Sequence, residues 1–133
     1  MKKIGLVQIN NSFSGQNYFP YSVGLIQVYA LAHCPNIHEY EFIDPIYKRL
    51  PVVSAVEHLK ECDVVGVSTY VWNERISLRI AAELKKINPK CLIIFGGPQV
   101  PNKAENWLSK NSFVDIAVHG EGEHIFSLLL QNY

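Results

Sequence analysis

Short apolar runs alternate with segments of helical periodicity along this whole chain, and that alternation leaves few folds open. Ile4–Ile9, Tyr40–Ile43, Val64–Ser68, Leu92–Phe95 and Ile116–Val118 read as strands. The third and fourth are continuously apolar, the pattern of strands covered on both faces. Helical segments lie between them. Leu25, Val28 and Ala32 share one helical face after Pro20, and Val52, Val56 and Leu59 share another after Pro51. Proline suits such a first turn because no N–H is needed there. Ile76, Ile80, Leu84 and Ile87 recur at helical spacing after Asn73, a plausible cap, and Pro89 closes that helix. Asn102-Lys103-Ala104-Glu105 has the form of a capping box for a short helix through Trp107 and Leu108. A last helix is expected from near Glu121 through Ile125, Phe126 and Leu129.

Such an alternation builds right-handed βαβ crossovers and therefore a parallel sheet. The expected fold is α/β: a doubly wound, five-stranded parallel sheet with helices on both faces, most simply in the order 2-1-3-4-5 of flavodoxin-like (Rossmann-like) domains. The 133 residues fit a single domain, 1–133, without linker, repeat or low-complexity tract.

Composition narrows the partners. With 48% hydrophobic and 18% charged residues, the chain can build a core and is not expected to be disordered. Twelve basic side chains balance twelve acidic ones without a block of like charge, so neither nucleic acid nor an anionic membrane is an expected partner. Neutrality leaves weak self-association open. Met1-Lys2-Lys3 leads into an apolar run too short for a signal-peptide core, and no stretch approaches a membrane span. The expected compartment is the cytoplasm. Cys34, Cys62 and Cys91 are odd in number and far apart, and read as buried free thiols.

In open α/β sheets ligands bind beyond the carboxyl ends of the strands, at the switch point flanked by the first and third. Four loops reach that edge: Asn10–Tyr18, Thr69–Asn73, Gly96–Pro101 and His119–Glu123. The first, with Ser12, Ser14, Gly15 and Asn17, reads either as an ordinary turn-rich connection or as a cradle for a phosphate or polar cofactor edge. Ser68 ends a buried strand where a hydroxyl can face the cleft, and Tyr70 and Trp72 can wall an apolar cofactor site. Gly96-Gly97-Pro98 means a special turn or a large object lying against the backbone. His119-Gly120-Glu121-Gly122-Glu123-His124 holds metal-capable groups, but its spacing matches no zinc or calcium pattern, and acidic residues suit a helix start.

Taken together, Pro20-x-x-x-Gly24-Leu25, Asp63-Val64-Val65-Gly66-Val67-Ser68, Trp72-Asn73, Asn88-Pro89, Gly96-Gly97-Pro98 and Val114-Asp115 followed by Gly120-Glu121-Gly122-Glu123 resemble a known family. They look like the N-terminal cobalamin-binding domain of cobalamin-dependent radical SAM enzymes, many of them methyltransferases, over essentially the whole chain. The resemblance implies cobalamin as cofactor, with its dimethylbenzimidazole tail off cobalt and threaded into the sheet. Ser68 would touch the tail and Gly96 and Gly97 would line its slot. The Asp-x-His-x-x-Gly register of the wider superfamily falls on Asn10-x-Ser12-x-x-Gly15, so the histidine that elsewhere ligates cobalt is missing. Trp72 or Tyr70 would cover the lower face. Asn73, Pro98, Gly120 and Glu121 complete the candidate cofactor-binding set, and no side chain is expected to hold a metal. Replacing Gly97 by Val is expected to exclude the ligand while leaving the fold largely intact.

The chain lacks the Cys-x-x-x-Cys-x-x-Cys motif that radical SAM chemistry needs. SAM and an iron–sulfur cluster are therefore expected only on a radical SAM module absent from this chain, acting in cis or in trans. The chain alone would present the cofactor, without turnover, for what the resemblance suggests is methyl transfer. Rival readings are a degenerate family member serving as scaffold or docking module, and a flavin-binding module. A phosphorylation receiver fails, because Asn10, Asn11 and Ser68 stand where it needs acidic residues.

Overall fold

The computed structural model describes every residue from Met1 to Tyr133. In chain order it contains β1 (Lys2–Val7), β2 (Ser12–Phe13), β3 (Gln16–Asn17), α1 (Tyr21–His33), β4 (Tyr40–Phe42), α2 (Val52–Leu59), β5 (Val64–Ser68), α3 (Glu74–Ile87), β6 (Leu92–Gly96), α4 (Glu105–Lys110), β7 (Ile116–Ala117) and α5 (Glu123–Gln131). A single 3₁₀ turn, Ile37–Glu39, precedes β4. The five main strands form one sheet in the order β4-β1-β5-β6-β7, all parallel. This is the expected 2-1-3-4-5 arrangement.

Alternation of side chains along the strands divides the core into two layers. Val7, Val65, Val67, Ile93 and Phe95 pack under α2 and α3 through Val56, Leu59, Ile80 and Leu84. Ile4, Leu6, Val64 and Ile94 pack on the opposite face under α1 and α5 through Val23, Ala30, Phe126 and Leu130. The register carries one row across the sheet, Leu6 beside Gly66, Gly66 beside Ile94 and Ile94 beside Ile116.

Two aspartates hold the amino-terminal edge. Asp63 accepts the Lys3 N–H at 2.7 Å, and Asp115 accepts the Ile93 N–H and the Lys85 ammonium, each at 2.7 Å. Beyond β1 the chain continues beside the loop that follows β4. The Gln8 N–H donates to Ile46 and the Asn10 N–H to Tyr47, which ties residues 46–47 to the carboxyl edge.

The structure corrects several boundaries. Asn102 caps nothing: α4 starts at Glu105 after Ala104, with no side-chain cap. The last helix begins at Glu123, after Gly122, rather than near Glu121. Strand β1 is displaced two residues toward the amino terminus of its expected span. In α1 the face of Leu25 and Val28 points to solvent, and the core takes Val23 and Ala30 instead. That helix carries no Asp, Glu, Lys or Arg, so its apolar pattern marks no single buried face.

Candidate functional site

Packing of α1 and α5 on one face of the sheet leaves a cleft of about 370 Å³ at the carboxyl ends of β5, β6 and β7. Ser68, Tyr70, Gly96, Gly97 and Pro98 line it on the strand side. Gly120 and Glu121 line it from the loop after β7, and Ser22, Ile26 and Phe126 close it from the helices. Seven of the expected site residues thus meet in one cavity.

The two adjacent glycines do different work. A Cβ built on Gly96 would find only the Val118 carbonyl oxygen, at 4.0 Å, so this missing side chain leaves open space at the cleft wall. Gly97 has φ +95°, and a Cβ there would collide with the backbone of Thr69. The expectation that Gly97→Val spares the fold is therefore corrected: Gly97 is glycine because Thr69 occupies the place of a side chain. Thr69, fully buried, donates both its N–H (2.8 Å) and its hydroxyl (2.7 Å) to the Gly96 carbonyl.

A second hollow, about 460 Å³, adjoins the cleft beyond the carboxyl end of β1. Asn10, Tyr18, Phe19 and Tyr21 form one side and Tyr70 and Trp72 the other. The rings of Tyr70 and Trp72 are stacked, with centroids 4.7 Å apart and planes inclined by 10°. The Tyr70 hydroxyl meets the Ser22 hydroxyl at 2.5 Å, and these two residues line both cavities. Asn73 is buried beneath this shelf. It stands at the expected cap position of α3 but makes no side-chain cap bond. Its amide oxygen accepts the Tyr70 N–H (2.8 Å), and its NH2 donates to the Ile9 (2.9 Å) and Ser68 (3.2 Å) carbonyls, tying β1 and β5 together under the aromatic rings.

The first loop is not an open cradle. Ser12–Phe13 and Gln16–Asn17 pair as a two-residue hairpin, with Ser14 at φ +50° and Gly15 at φ +76°. Two positive φ values in succession make a type I′ turn, whose twist suits a tight hairpin. Ser12 and Gly15 are exposed on it and line neither cavity, whereas Asn10, at its base, lines the second.

Sequence reasoning missed Ser22, Gln8 and Thr69. Gln8 is buried, and its side-chain oxygen accepts the Val23 N–H at 3.2 Å, fixing the start of α1 over the sheet. The available signal was a polar residue at an inward position near a strand end, since buried polar groups require partners. No three His, Cys, Asp or Glu side chains converge as a metal site would require. All three cysteines are free and buried, as expected. Burial pushes the Cys62 thiol up to about 11 and the Cys91 thiol up to about 12, so neither is a ready nucleophile. No helix is long and apolar enough to cross a membrane.

Comparison with known proteins decides the family. The family model described as "B12 binding domain" matches residues 3–130. The chain belongs to the B12-binding domain family. This B12-binding domain is 36% identical over 121 residues to the cobalamin-dependent radical SAM methyltransferase TokK of Streptomyces tokunonensis, a match covering 89% of the chain and 18% of that protein. It is 33% identical over 113 residues to a 2-(S-pantetheinyl)-carbapenam-3-carboxylate methyltransferase of Streptantibioticus cattleyicolor, covering 85% of the chain and 17% of the relative. The chain thus spans less than a fifth of the length of either relative. A pilus assembly-related protein from Burkholderia pseudomallei shares the fold at a TM-score of 0.62, with 9% identity, over 99% of this chain and 88% of that one. At that identity the likeness speaks for architecture alone.

Proposed function

We propose that this B12-binding domain binds cobalamin with the tail base off cobalt, and presents it to a radical SAM module for methyl transfer. The observation that carries the reading is the pair of adjoining cavities. One is a cleft beside Ser68, where Gly96 leaves room along the strand end. The other is a hollow walled by aromatic rings. A long tail and a broad macrocycle need that combination. Cobalamin, when bound, supplies a cobalt centre that carries a methyl group between donor and acceptor.

The chain's own residues do the holding. Ser68 and the open edge at Gly96 receive the tail, and Phe126 and Ile26 keep water from it. Asn73 fixes Tyr70, and Tyr70 supports Trp72 as the apolar floor of the hollow. With Ser12 exposed on a hairpin and no histidine among the lining residues of the hollow, no imidazole is presented to cobalt from this side. An apolar floor of Tyr70 and Trp72 would offer no nitrogen donor to a bound cofactor.

The test is the visible spectrum after the purified chain is mixed with hydroxocobalamin and freed of excess. The expected result is about one retained equivalent with a base-off spectrum. A base-on spectrum would overturn the tail placement. Absence of retention by this chain, and by a longer protein containing it, would favour the scaffold reading. Trp72→His tests the floor: an imidazole there should change the bound spectrum and lower the reduction potential, and an unchanged spectrum would remove Trp72 from beneath the metal.

A further inference from the structure

Trp72 is held by a residue that belongs neither to its own loop nor to either cavity. Residues 70–73 form a turn in which the Asn73 and Glu74 N–H groups both donate to the Tyr70 carbonyl, at 3.1 and 3.0 Å. The Trp72 carbonyl accepts no backbone N–H. Its partner is the Arg49 guanidinium, which donates to it from the loop between β4 and α2. That loop has a fixed base, because the Gln8 and Asn10 N–H groups donate to Ile46 and Tyr47 at 2.9 and 3.0 Å. Arg49 therefore reaches from an anchored strand extension, past β1, to the far wall of the aromatic hollow. Neighbouring Lys48 is turned aside, 5.5 Å from the Tyr47 ring centre.

The chemistry suits positioning rather than stabilisation. Arg49 is exposed, so water can satisfy the Trp72 carbonyl when the guanidinium is gone, and the fold does not depend on the bond. What water cannot do is fix the carbonyl's direction. The indole, 43% exposed, stacks on Tyr70 and makes no side-chain hydrogen bond, so its placement depends on that of its own backbone. A planar guanidinium on a pinned loop sets that backbone where a hydrated carbonyl would wander.

We infer that Arg49 is a positioning residue for Trp72: bonding the Trp72 carbonyl from the β4–α2 loop, it holds the indole against Tyr70 as a fixed wall of the aromatic hollow. The consequence for a bound cofactor rests on the cobalamin reading, but the immobilisation of Trp72 does not, and it is tested without any ligand. The chain has two tryptophans, so Trp107→Phe leaves Trp72 as the sole reporter. In that background Arg49, Arg49→Met and Arg49→Lys are compared by acrylamide quenching and fluorescence anisotropy. Arg49→Met should raise the quenching constant roughly two-fold and lower the anisotropy, with the melting temperature within about 2 °C of the parent. Arg49→Lys, which keeps a donor, should recover part of the effect. Equal quenching and anisotropy in parent and Arg49→Met would overturn the inference; so would a change that Arg49→Lys reproduces in full. Loading with hydroxocobalamin then separates the two readings. If neither the parent nor a longer protein containing it retains any, the cobalamin proposal fails while the tryptophan readout still decides on Arg49. If it is retained, the bound spectrum of Arg49→Met should depart from the parent's.

Discussion

Gly97 and Thr69 are packed backbone against backbone, so closely that the Thr69 nitrogen lies 2.7 Å from where a Cβ on Gly97 would sit. The contact joins the loops after β5 and β6 into one rigid lip over the cleft, reinforced by the two bonds from Thr69 to the Gly96 carbonyl. Gly97→Ala must both adopt φ +95° and displace Thr69, and about 3 kcal/mol of stability should be lost. Gly96→Val carries neither penalty and only fills the cleft. Chemical denaturation beside cobalamin titration should separate the pair: Gly97→Ala unstable, Gly96→Val as stable as the parent but unable to retain cobalamin. Unimpaired retention by a folded Gly96→Val would remove the cleft from the site.

Asn73 should prove structural. Its removal leaves the Tyr70 N–H and the Ile9 and Ser68 carbonyls without their buried partner. Asn73→Ala should cost about 2–4 kcal/mol in urea unfolding. Asn73→Asp should cost more, since a carboxylate oxygen would then face two carbonyl oxygens.

Asp115 offers the opposite control, remote from the site at the amino-terminal edge. Asp115→Ala strands the Ile93 N–H and leaves the Lys85 ammonium only the Cys91 carbonyl, and should lower stability by about 2 kcal/mol. Cobalamin affinity, measured by titration at a temperature where the variant is fully folded, should not change.

Alkaline stability should follow the buried thiols. Burial raises Cys62 to about 11 and Cys91 to about 12, against an ordinary value of 9.0. Between pH 9 and those folded-state values the unfolded chain has released protons that the folded chain keeps, so unfolding becomes easier as pH rises. Below pH 9 the contribution is fully present. Burial raises Tyr40 as well and acts in the same direction at higher pH. The stability difference between the parent and Cys62→Ala/Cys91→Ala should therefore be flat from pH 6 to 8 and shrink from pH 9 upward. A difference independent of pH over that range would show that the thiols do not resist ionisation.

Sequence alone determined the sheet. Val64–Ser68 was read at its true boundaries, because a continuous apolar run between polar turns has only one way to be buried on both faces. The order of strands followed from alternation and crossover handedness, and the carboxyl-edge loops with their Gly-Gly-Pro and Gly-Glu-Gly-Glu turns were legible as the walls of one cleft. Pattern could not assign the roles within it. Whether a glycine makes room for a ligand or for a neighbouring backbone depends on what lies opposite, and Gly96 and Gly97 differ only because Thr69 faces one of them. The same holds for Asn73, a cap by position but a tie between β1 and β5 by contact, and for α1, whose uncharged surface leaves its buried side to be chosen by the sheet. Short-range periodicity sets which elements form; the partner of each polar group and the neighbour of each missing Cβ are set by residues tens of positions away, and only their meeting in three dimensions decides them.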